Sequence, residues 1–163
     1  MNALKTLLYM GSMHGLFTFY FPYQLALLDP SFFDAGYFRL LAFPLWAIGT
    51  LMIIWCSVDF VRRGGGTPAY IDPPKELVIR GLYRYIRNPI YTGALLVQLG
   101  HILWFASRFV ILYFLLYFLA FHVLVVFIEE PILKNKFGAA YEEYARRVPR
   151  WMPRINTISN KVS

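Results

Sequence analysis

Long apolar stretches constrain this chain more than any other feature of its sequence. Four of them, at roughly residues 7–28, 37–61, 90–107 and 109–128, are long enough to cross about 30 Å of hydrocarbon as helices. Of the 163 residues, 58% are hydrophobic and 15% are charged, which is too apolar for an ordinary soluble domain of this size. We therefore predict an all-α integral membrane bundle of about four transmembrane helices, forming a single domain over residues 1–163.

The basic residues predict the orientation of the bundle. Of the 16 Lys and Arg residues, all but Arg39 and Arg108 lie before the first stretch, between the second and third, or after the fourth. Because basic residues concentrate on the cytoplasmic side of membrane proteins, we expect both termini to be cytoplasmic, most simply in the inner membrane of a bacterium. The net charge of +7, divided among membrane-flanking segments, favours membrane lipids over nucleic acid as partners.

Cysteine and histidine give little support for a metal or redox site. Cys56 is the only cysteine and lies in the second stretch, which predicts a buried, inert thiol. His14, His101 and His122 lie on three different stretches, so no metal-ligand spacing is present and we expect no metal. Each histidine is either a hydrogen-bonded packing residue or a functional residue within a span.

The segment RGLYRYIRNPIYTG (residues 80–93) concentrates charge before the third stretch. A helix over residues 82–87 would place Arg80, Arg84 and Arg87 on one face. Asn88 suits an N-cap and Pro89 suits the first helical position, so the third span is predicted to begin here. One interpretation is an ordinary helix start with arginines that reach lipid headgroups.

The other interpretation of this segment is a binding site. The free N–H groups of a helix start, reinforced by Arg84 and Arg87, can receive a carboxylate or phosphate. The aromatic faces of Tyr83, Tyr85 and Tyr91 can receive a cation or a flat ring. A zwitterionic ligand fits these groups better than a simple anion.

Glu129 and Glu130 stand where the fourth stretch ends. A turn around Arg108 predicts that the third and fourth spans form an antiparallel hairpin, which brings these acids near residues 80–93. Acids at a helix C-terminus are unfavourably placed without a cationic partner, which is either Arg84, Arg87 or a bound cation. Beyond them, residues 133–148 predict one amphipathic cytoplasmic helix that can cover the site or simply pack on it.

These segments also carry a family resemblance. GTPAYIDPPKELVIRGLYRYIRNPIYTG, followed by EEPILKNKFGAAYEEYARRVPRWMP, resembles the isoprenylcysteine carboxyl methyltransferase and phospholipid N-methyltransferase superfamily over about residues 64–153, with motifs at 64–93 and 129–153. The resemblance implies a helical membrane enzyme that uses S-adenosylmethionine. Prenylcysteine enzymes typically have His where this chain has Asn88, and more polar residues where it has Phe127 and Ile128, so the acceptor stays open.

Site residues follow from the resemblance position by position. It implies that Arg87 and Glu130 are catalytic, with Arg87 orienting an anionic acceptor. It implies cofactor contacts from Leu77, Val78, Gly81, Tyr83, Asn88, Pro89, Tyr91, Glu129 and Glu130. The expected function is methyl transfer to a lipophilic acceptor through a carboxyl, an amine or a lipid headgroup. The alternative is a non-catalytic lipid-binding or scaffold protein that retains the fold.

Overall fold

The computed structural model describes residues 8, 11–29, 32–63 and 76–154, and these residues form helices and turns without a β-strand. The predicted all-α class is therefore confirmed for the described part of the chain. In order, the elements are a π-helix (His14–Tyr20), α1 (Phe21–Leu28), a 3-10 helix (Gly36–Leu41), α2 (Ala42–Arg63), a 3-10 helix (Gly81–Arg84), α3 (Pro89–Phe105), α4 (Arg108–Val123), a π-helix (Leu124–Glu129), α5 (Glu130–Phe137) and α6 (Ala139–Arg147).

Among the described residues, two helical stretches are long and apolar enough to cross a membrane. They are Gly36–Asp59, with a mean hydropathy of 1.9, and Arg108–Phe137, here called the long helix, with a mean hydropathy of 2.7. Only 11% of the most apolar part of the long helix is buried, so its apolar side chains face outwards, as suits contact with lipid. Pro89–Phe105 is apolar but shorter, and the first predicted span lies partly outside the described residues. Four spans stay a prediction.

Glycines set the close packing of α2 against α3. A Cβ atom at Gly49 would lie 2.5 Å from the carbonyl oxygen of Gly93, and one at Gly93 would lie 2.8 Å from the carbonyl oxygen of Gly49. Small residues allow two backbones to approach in this way. Ile53, Ala94 and Val97 are buried in the apolar cluster that accompanies the contact. The first turns of α3 are thus fixed relative to α2.

The first helical segment is joined to the bundle by polar contacts. The carbonyl oxygen of Phe17 accepts hydrogen bonds from Gln98 Nε2 (3.3 Å) and the Tyr113 hydroxyl (2.7 Å). Thr18 accepts from Gln98 through its carbonyl oxygen (3.2 Å), and its hydroxyl lies 2.9 Å from the Tyr117 hydroxyl. A π-helix alters the i→i−4 hydrogen-bond pattern, which allows its carbonyl groups to accept hydrogen bonds from neighbouring helices.

A tight turn joins α3 to α4. Ala106 adopts a left-handed conformation (φ 50°) at the end of α3. The carboxylate of Asp29 accepts hydrogen bonds from the backbone N–H (3.1 Å) and Nε (3.0 Å) of Arg108, so it caps the start of α4. At the other end of the hairpin the Tyr91 hydroxyl contacts Glu129, which confirms the predicted antiparallel pairing.

The C-terminal part departs from the prediction at two points. The long helix continues through Pro131 to Phe137 instead of ending near residue 128. A π-helical turn directly before Pro131 gives its ring room beside the preceding carbonyl groups. Gly138, with φ 53°, then interrupts the helix, so the single helix predicted over 133–148 is divided into α5 and α6.

The segment of residues 62–79, which is rich in Gly and Pro and is expected to form an irregular loop, is described only at its two ends. α2 extends to Arg63, so the first two residues of that range are helical. Residues 64–75 lie outside the described part of the chain, and residues 76–80 have no regular structure. Cys56 is buried (1% exposed), as predicted, in the cluster that also contains Tyr83 and Ile90.

Candidate functional site

The segment after α6, residues 148–154, crosses the start of α3 and is called the C-terminal segment below. The backbone N–H of Arg87 donates a hydrogen bond to the carbonyl oxygen of Pro149 (2.9 Å). The Thr92 hydroxyl lies 3.4 Å from the carbonyl oxygen of Trp151. Since the long helix passes beside α3 at this level, three parts of the chain meet here.

Glu130 is held by two arginines at this meeting point. Arg87 Nη1 lies 2.8 Å from Glu130 Oε1, while Arg150 Nε and Nη2 lie 2.7 and 2.9 Å from Oε1 and Oε2. The side chains are 13% (Arg87), 18% (Glu130) and 29% (Arg150) exposed, so the cluster is mostly removed from water. Because both carboxylate oxygens are engaged by charged donors, the geometry favours a positioning role for Glu130 over proton transfer. Its predicted catalytic role stays a prediction.

Glu129 has a different environment from its neighbour. Its Oε1 accepts a hydrogen bond of 2.5 Å from the Tyr91 hydroxyl, a neutral donor. Among the described residues, the ion pairs include none to Glu129. Within the described part of the chain, Glu130 therefore faces two cations and its neighbour Glu129 faces none.

Asn88 lies at the predicted N-cap position, since α3 begins at Pro89. Its side chain, however, makes no cap hydrogen bond, and the prediction of a side-chain cap is wrong. Asn88 Nδ2 instead donates to the carbonyl oxygen of Arg150 (3.3 Å), because the C-terminal segment comes close enough to offer an acceptor. Asn88 thus links the start of α3 to the residue that holds Glu130.

The arginines of residues 80–87 do not share a helix face, contrary to the prediction. The 3-10 helix covers only Gly81–Arg84, and Arg80 before it is extended (φ −137°). Gly81 adopts φ 54°, which a residue with a Cβ atom rarely adopts, and this turn redirects the chain. Arg87 lies beyond the short helix, where it reaches Glu130.

Several predicted cofactor-binding residues lie in the packed interior beside the site. Tyr83 and Pro89 are buried, and burial raises the pKa of the Tyr83 hydroxyl well above its ordinary value. Val78 packs on the cluster that contains Tyr83, while Leu77 packs on the buried cluster of α6 and the residue that follows it (Tyr141, Tyr144 and Val148). Gly81 supplies the turn described above. Contacts from these residues to a cofactor stay predictions.

Sequence reasoning missed Arg150, and it placed Tyr141 and Tyr144 on the aromatic face of the amphipathic helix without naming their partners. The Tyr144 hydroxyl donates to the carbonyl oxygen of Tyr83 (2.7 Å), which attaches α6 to the segment before α3. One signal for Arg150 was available, because an acid pair at a helix end requires cations and several arginines follow within about 20 residues. The residue pattern did not indicate which of these arginines binds the acid pair. Phe137 and Val148 pack on the same cluster, as the packing interpretation of this helix expects.

Glu130 also lines an open cavity of about 590 Å³ between α5 and α6. Its lining includes the ion pair of Lys134 and Glu142 (2.8 Å) and the buried Tyr141. Burial raises the pKa of the Tyr141 hydroxyl, so this ring is a neutral neighbour of the Arg87–Glu130 pair. The volume lies within the range of small-molecule sites.

Comparison with known protein families identifies the family to which the chain belongs. A family model described as phospholipid methyltransferase matches residues 37–140, which include Arg87, Glu129 and Glu130. The chain belongs to the phospholipid methyltransferase family. Its resemblance to the wider superfamily is thereby confirmed. The C-terminal segment, with Arg150, lies beyond the matched residues.

Two curated relatives match about half of the chain. Protein-S-isoprenylcysteine O-methyltransferase B of Arabidopsis thaliana is 33% identical over 81 residues, which are 50% of this chain and 41% of the relative. Protein-S-isoprenylcysteine O-methyltransferase of Schizosaccharomyces pombe is 34% identical over 79 residues, which are 48% of this chain and 34% of the relative. The matches thus span less than half the length of each relative. No solved structure matches this one.

Proposed function

We propose that this protein transfers a methyl group from S-adenosylmethionine to a lipophilic acceptor that resides in the membrane. The observation that carries the proposal is the acid pair near the end of the apolar part of the long helix, in which Glu130 is clamped by two arginines and Glu129 faces no cation among the described residues. Membership of a methyltransferase family supports the type of reaction. The names of the family and the relatives support an acceptor with a phospholipid or isoprenylcysteine character.

The described residues fit the charges of this methyl donor. S-adenosylmethionine carries an ammonium group and a carboxylate on its amino-acid part. Glu129 offers a carboxylate that has no cation among the described residues, which suits the ammonium. Arg87 Nε is buried without a hydrogen-bond partner in the described part of the chain and suits the carboxylate. A buried guanidinium N–H without an acceptor is unfavourable unless a ligand provides one.

The side chains of the site have separate roles in this proposal. When bound, S-adenosylmethionine supplies an electrophilic methyl group on a positively charged sulfur. Glu129, oriented by Tyr91, binds the ammonium, while Glu130 holds Arg87 and Arg150 in place. Asn88 fixes the C-terminal segment over the start of α3, which excludes water and keeps the reacting groups in line. An anionic acceptor is oriented by Arg87, and an amine acceptor can lose its proton to water, because Glu129 is engaged by the donor's ammonium.

We extend the proposal to the placement of the site in the cell. The charge distribution that predicts cytoplasmic termini also puts Glu129, Arg87 and Arg150 at the cytoplasmic surface of the inner membrane. A single membrane-embedded domain then carries the whole reaction, with the acceptor arriving laterally from the bilayer and the donor from the cytoplasm.

Calorimetric titration of the purified full chain with S-adenosylmethionine tests the proposal. We expect saturable binding that Glu129→Gln weakens and that Glu143→Gln, a matched change in an exposed acid of α6, leaves unaltered. Incubation with methyl-labelled donor and a lipid extract should then yield a labelled lipophilic product. A folded protein that binds no donor would instead support the non-catalytic lipid-binding alternative.

A further inference from the structure

Two aromatic rings beside the site carry buried nitrogen atoms that have no hydrogen-bond partner in the described part of the chain. These atoms are His122 Nδ1, on α4, and Trp151 Nε1, in the C-terminal segment. The two rings lie against each other, with centroids 6.2 Å apart and planes at 29°. Phe118, one turn before His122, packs on both rings, at 6.0 Å from His122 and 5.6 Å from Trp151.

Unpartnered polar atoms are concentrated at this end of the bundle. Five buried side-chain atoms of the described residues have no partner, and three of them belong to Arg87, His122 and Trp151. Buried polar groups are nearly always hydrogen-bonded, because an unsatisfied one retains its full desolvation cost. Three such atoms on elements that meet at one candidate site indicate that a ligand supplies the partners.

We propose that His122 and Trp151 bind the headgroup of the methyl acceptor, and that this headgroup carries an anionic oxygen. The indole N–H of Trp151 can only donate, so the ligand atom opposite it must accept. His122 Nδ1 donates as well when that nitrogen carries the proton. A carboxylate and a phosphate share the required chemistry, whereas an uncharged hydrocarbon chain does not provide it. This inference rests on the proposed function, because it names the acceptor of the same site.

The surroundings of the two rings support entry of the acceptor from the bilayer. Phe118 is 38% exposed and Leu115 and Leu119 are each 55% exposed, so α4 presents an apolar surface next to His122. A hydrocarbon chain can lie along that surface while its headgroup reaches the rings. Trp151 follows Arg150, whose guanidinium holds Glu130, so a headgroup bound there lies beside the proposed transfer site.

Thermal melts of the full chain in detergent, without methyl donor, test this binding. The probes are N-acetyl-S-farnesylcysteine, which offers a carboxylate, phosphatidylethanolamine, which offers a phosphate, and farnesol, which offers neither. Trp151→Phe removes the indole nitrogen and His122→Phe removes both imidazole nitrogens, while each variant keeps an aromatic ring. Trp55→Phe, at a residue 61% exposed on α2, is the matched control. We expect one or both anionic probes, but not farnesol, to raise the melting temperature of the wild type and of Trp55→Phe. Their apparent affinity should fall about tenfold in Trp151→Phe and His122→Phe.

The same variants separate headgroup binding from a structural role. Trp151→Phe also removes half of a ring that packs on Phe118 and His122, so a fall in its melting temperature without a probe reports lost packing. Each probe-induced shift is therefore measured against the variant's own melting temperature. Equal probe-induced shifts in the wild type, Trp151→Phe and His122→Phe overturn the inference. So does a shift from farnesol as large as that from the anionic probes.

Methyl-transfer kinetics distinguish this inference from the function on which it rests. In an active wild type, the two variants should raise KM for the acceptor about tenfold and leave the affinity for S-adenosylmethionine unchanged. If the wild type binds no S-adenosylmethionine but the probe-induced shifts depend on Trp151, the proposed function fails while the headgroup site stands. If S-adenosylmethionine binds but the probe-induced shifts do not depend on Trp151 or His122, the headgroup site fails alone.

Discussion

The long helix carries contacts between a carboxylate and an arginine at two places, one at its start and one about two turns before its end, and the two contacts differ in kind. At the start, Asp29 accepts two hydrogen bonds from Arg108, whose side chain is 63% exposed. Near the other end, about 30 Å away at 1.5 Å per residue, two mostly buried arginines hold Glu130. At the start, one acid pairs with one arginine. Near the other end there are two acids and two arginines, and both arginines bind Glu130.

The two contacts differ in whether the fold alone explains them, and this difference indicates which one belongs to a functional site. A carboxylate at a helix N-terminus satisfies free N–H groups and the helix dipole, so the Asp29 contact is explained by the fold alone. Glu129 and Glu130 lie inside the long helix, about two turns before it ends at Phe137, so no helix terminus accounts for them. Among the described residues, Glu129 has no cation and Arg87 Nε has no acceptor. Complementary groups left unpaired within one cluster are what a zwitterionic ligand would match.

The largest expected effect is that of Glu130→Ala on stability. The change leaves Arg87 and Arg150 without their carboxylate in a mostly buried site, so we expect a loss of about 3 kcal/mol in the free energy of unfolding. Denaturant titration in detergent micelles measures it. Glu143→Ala is the control, because the partners of Glu143 are exposed arginines and its loss should be small. Similar losses in both variants would remove the distinction between a buried clamp and an ordinary surface pair.

Glu129→Gln should affect binding much more than stability. The amide oxygen can still accept the hydrogen bond from Tyr91, but the negative charge for the donor's ammonium is gone. We expect the affinity for S-adenosylmethionine to fall between about tenfold and a hundredfold, the usual range for a hydrogen bond to a charged group. Calorimetry alongside thermal melts measures both quantities. If Glu129→Gln binds the donor normally, the acid without a cation is not the ligand site.

Asn88→Asp tests whether the residue at the start of α3 acts through the C-terminal segment. Aspartate cannot donate to the carbonyl oxygen of Arg150, and its charge repels that oxygen, so we expect a loss of about 1 kcal/mol in stability and weaker donor binding. A side-chain cap would give the opposite result for stability, because Asp caps a helix as well as Asn does. Thermal melts of Asn88→Asp and Asn88→Ser decide between the two. Full stability in the Asp variant would restore the cap interpretation.

Asp29→Asn should give the smallest effect, and one that depends on pH. Hydrogen bonding to Arg108 lowers the pKa of the Asp29 carboxyl, so its charge adds stability above its unfolded pKa of about 3.9. That contribution is lost as the pH falls through the lower pKa of the folded state. Melting temperatures of the wild type and Asp29→Asn should therefore differ slightly at neutral pH and converge in acid. A difference that persists at low pH would show that the cap does not depend on charge.

Helices and their order were predictable because they follow from local patterns. The start of α3 at Pro89 and the turn near Arg108 both follow from residue types within a few positions of each other. The continuation of the long helix through Pro131 was missed, since a proline after a pair of acids normally suggests an end. A π-helical turn made that continuation possible, and no simple residue pattern announces such a turn.

The sequence by itself determined an all-helical, apolar chain, a hairpin that brings Glu129 and Glu130 towards residues 80–93, and the need of those acids for cations. Only the tertiary structure decided which cations bind these acids. Arg87 and Arg150 bind Glu130 across 43 and 20 residues, and Asn88 reaches Arg150 across 62 residues. Hydropathy and spacing report on neighbours within one or two helical turns, whereas these partners depend on the path of the chain after Gly138. That path is set by the packing of α6 on residues 77–83, which no local pattern contains.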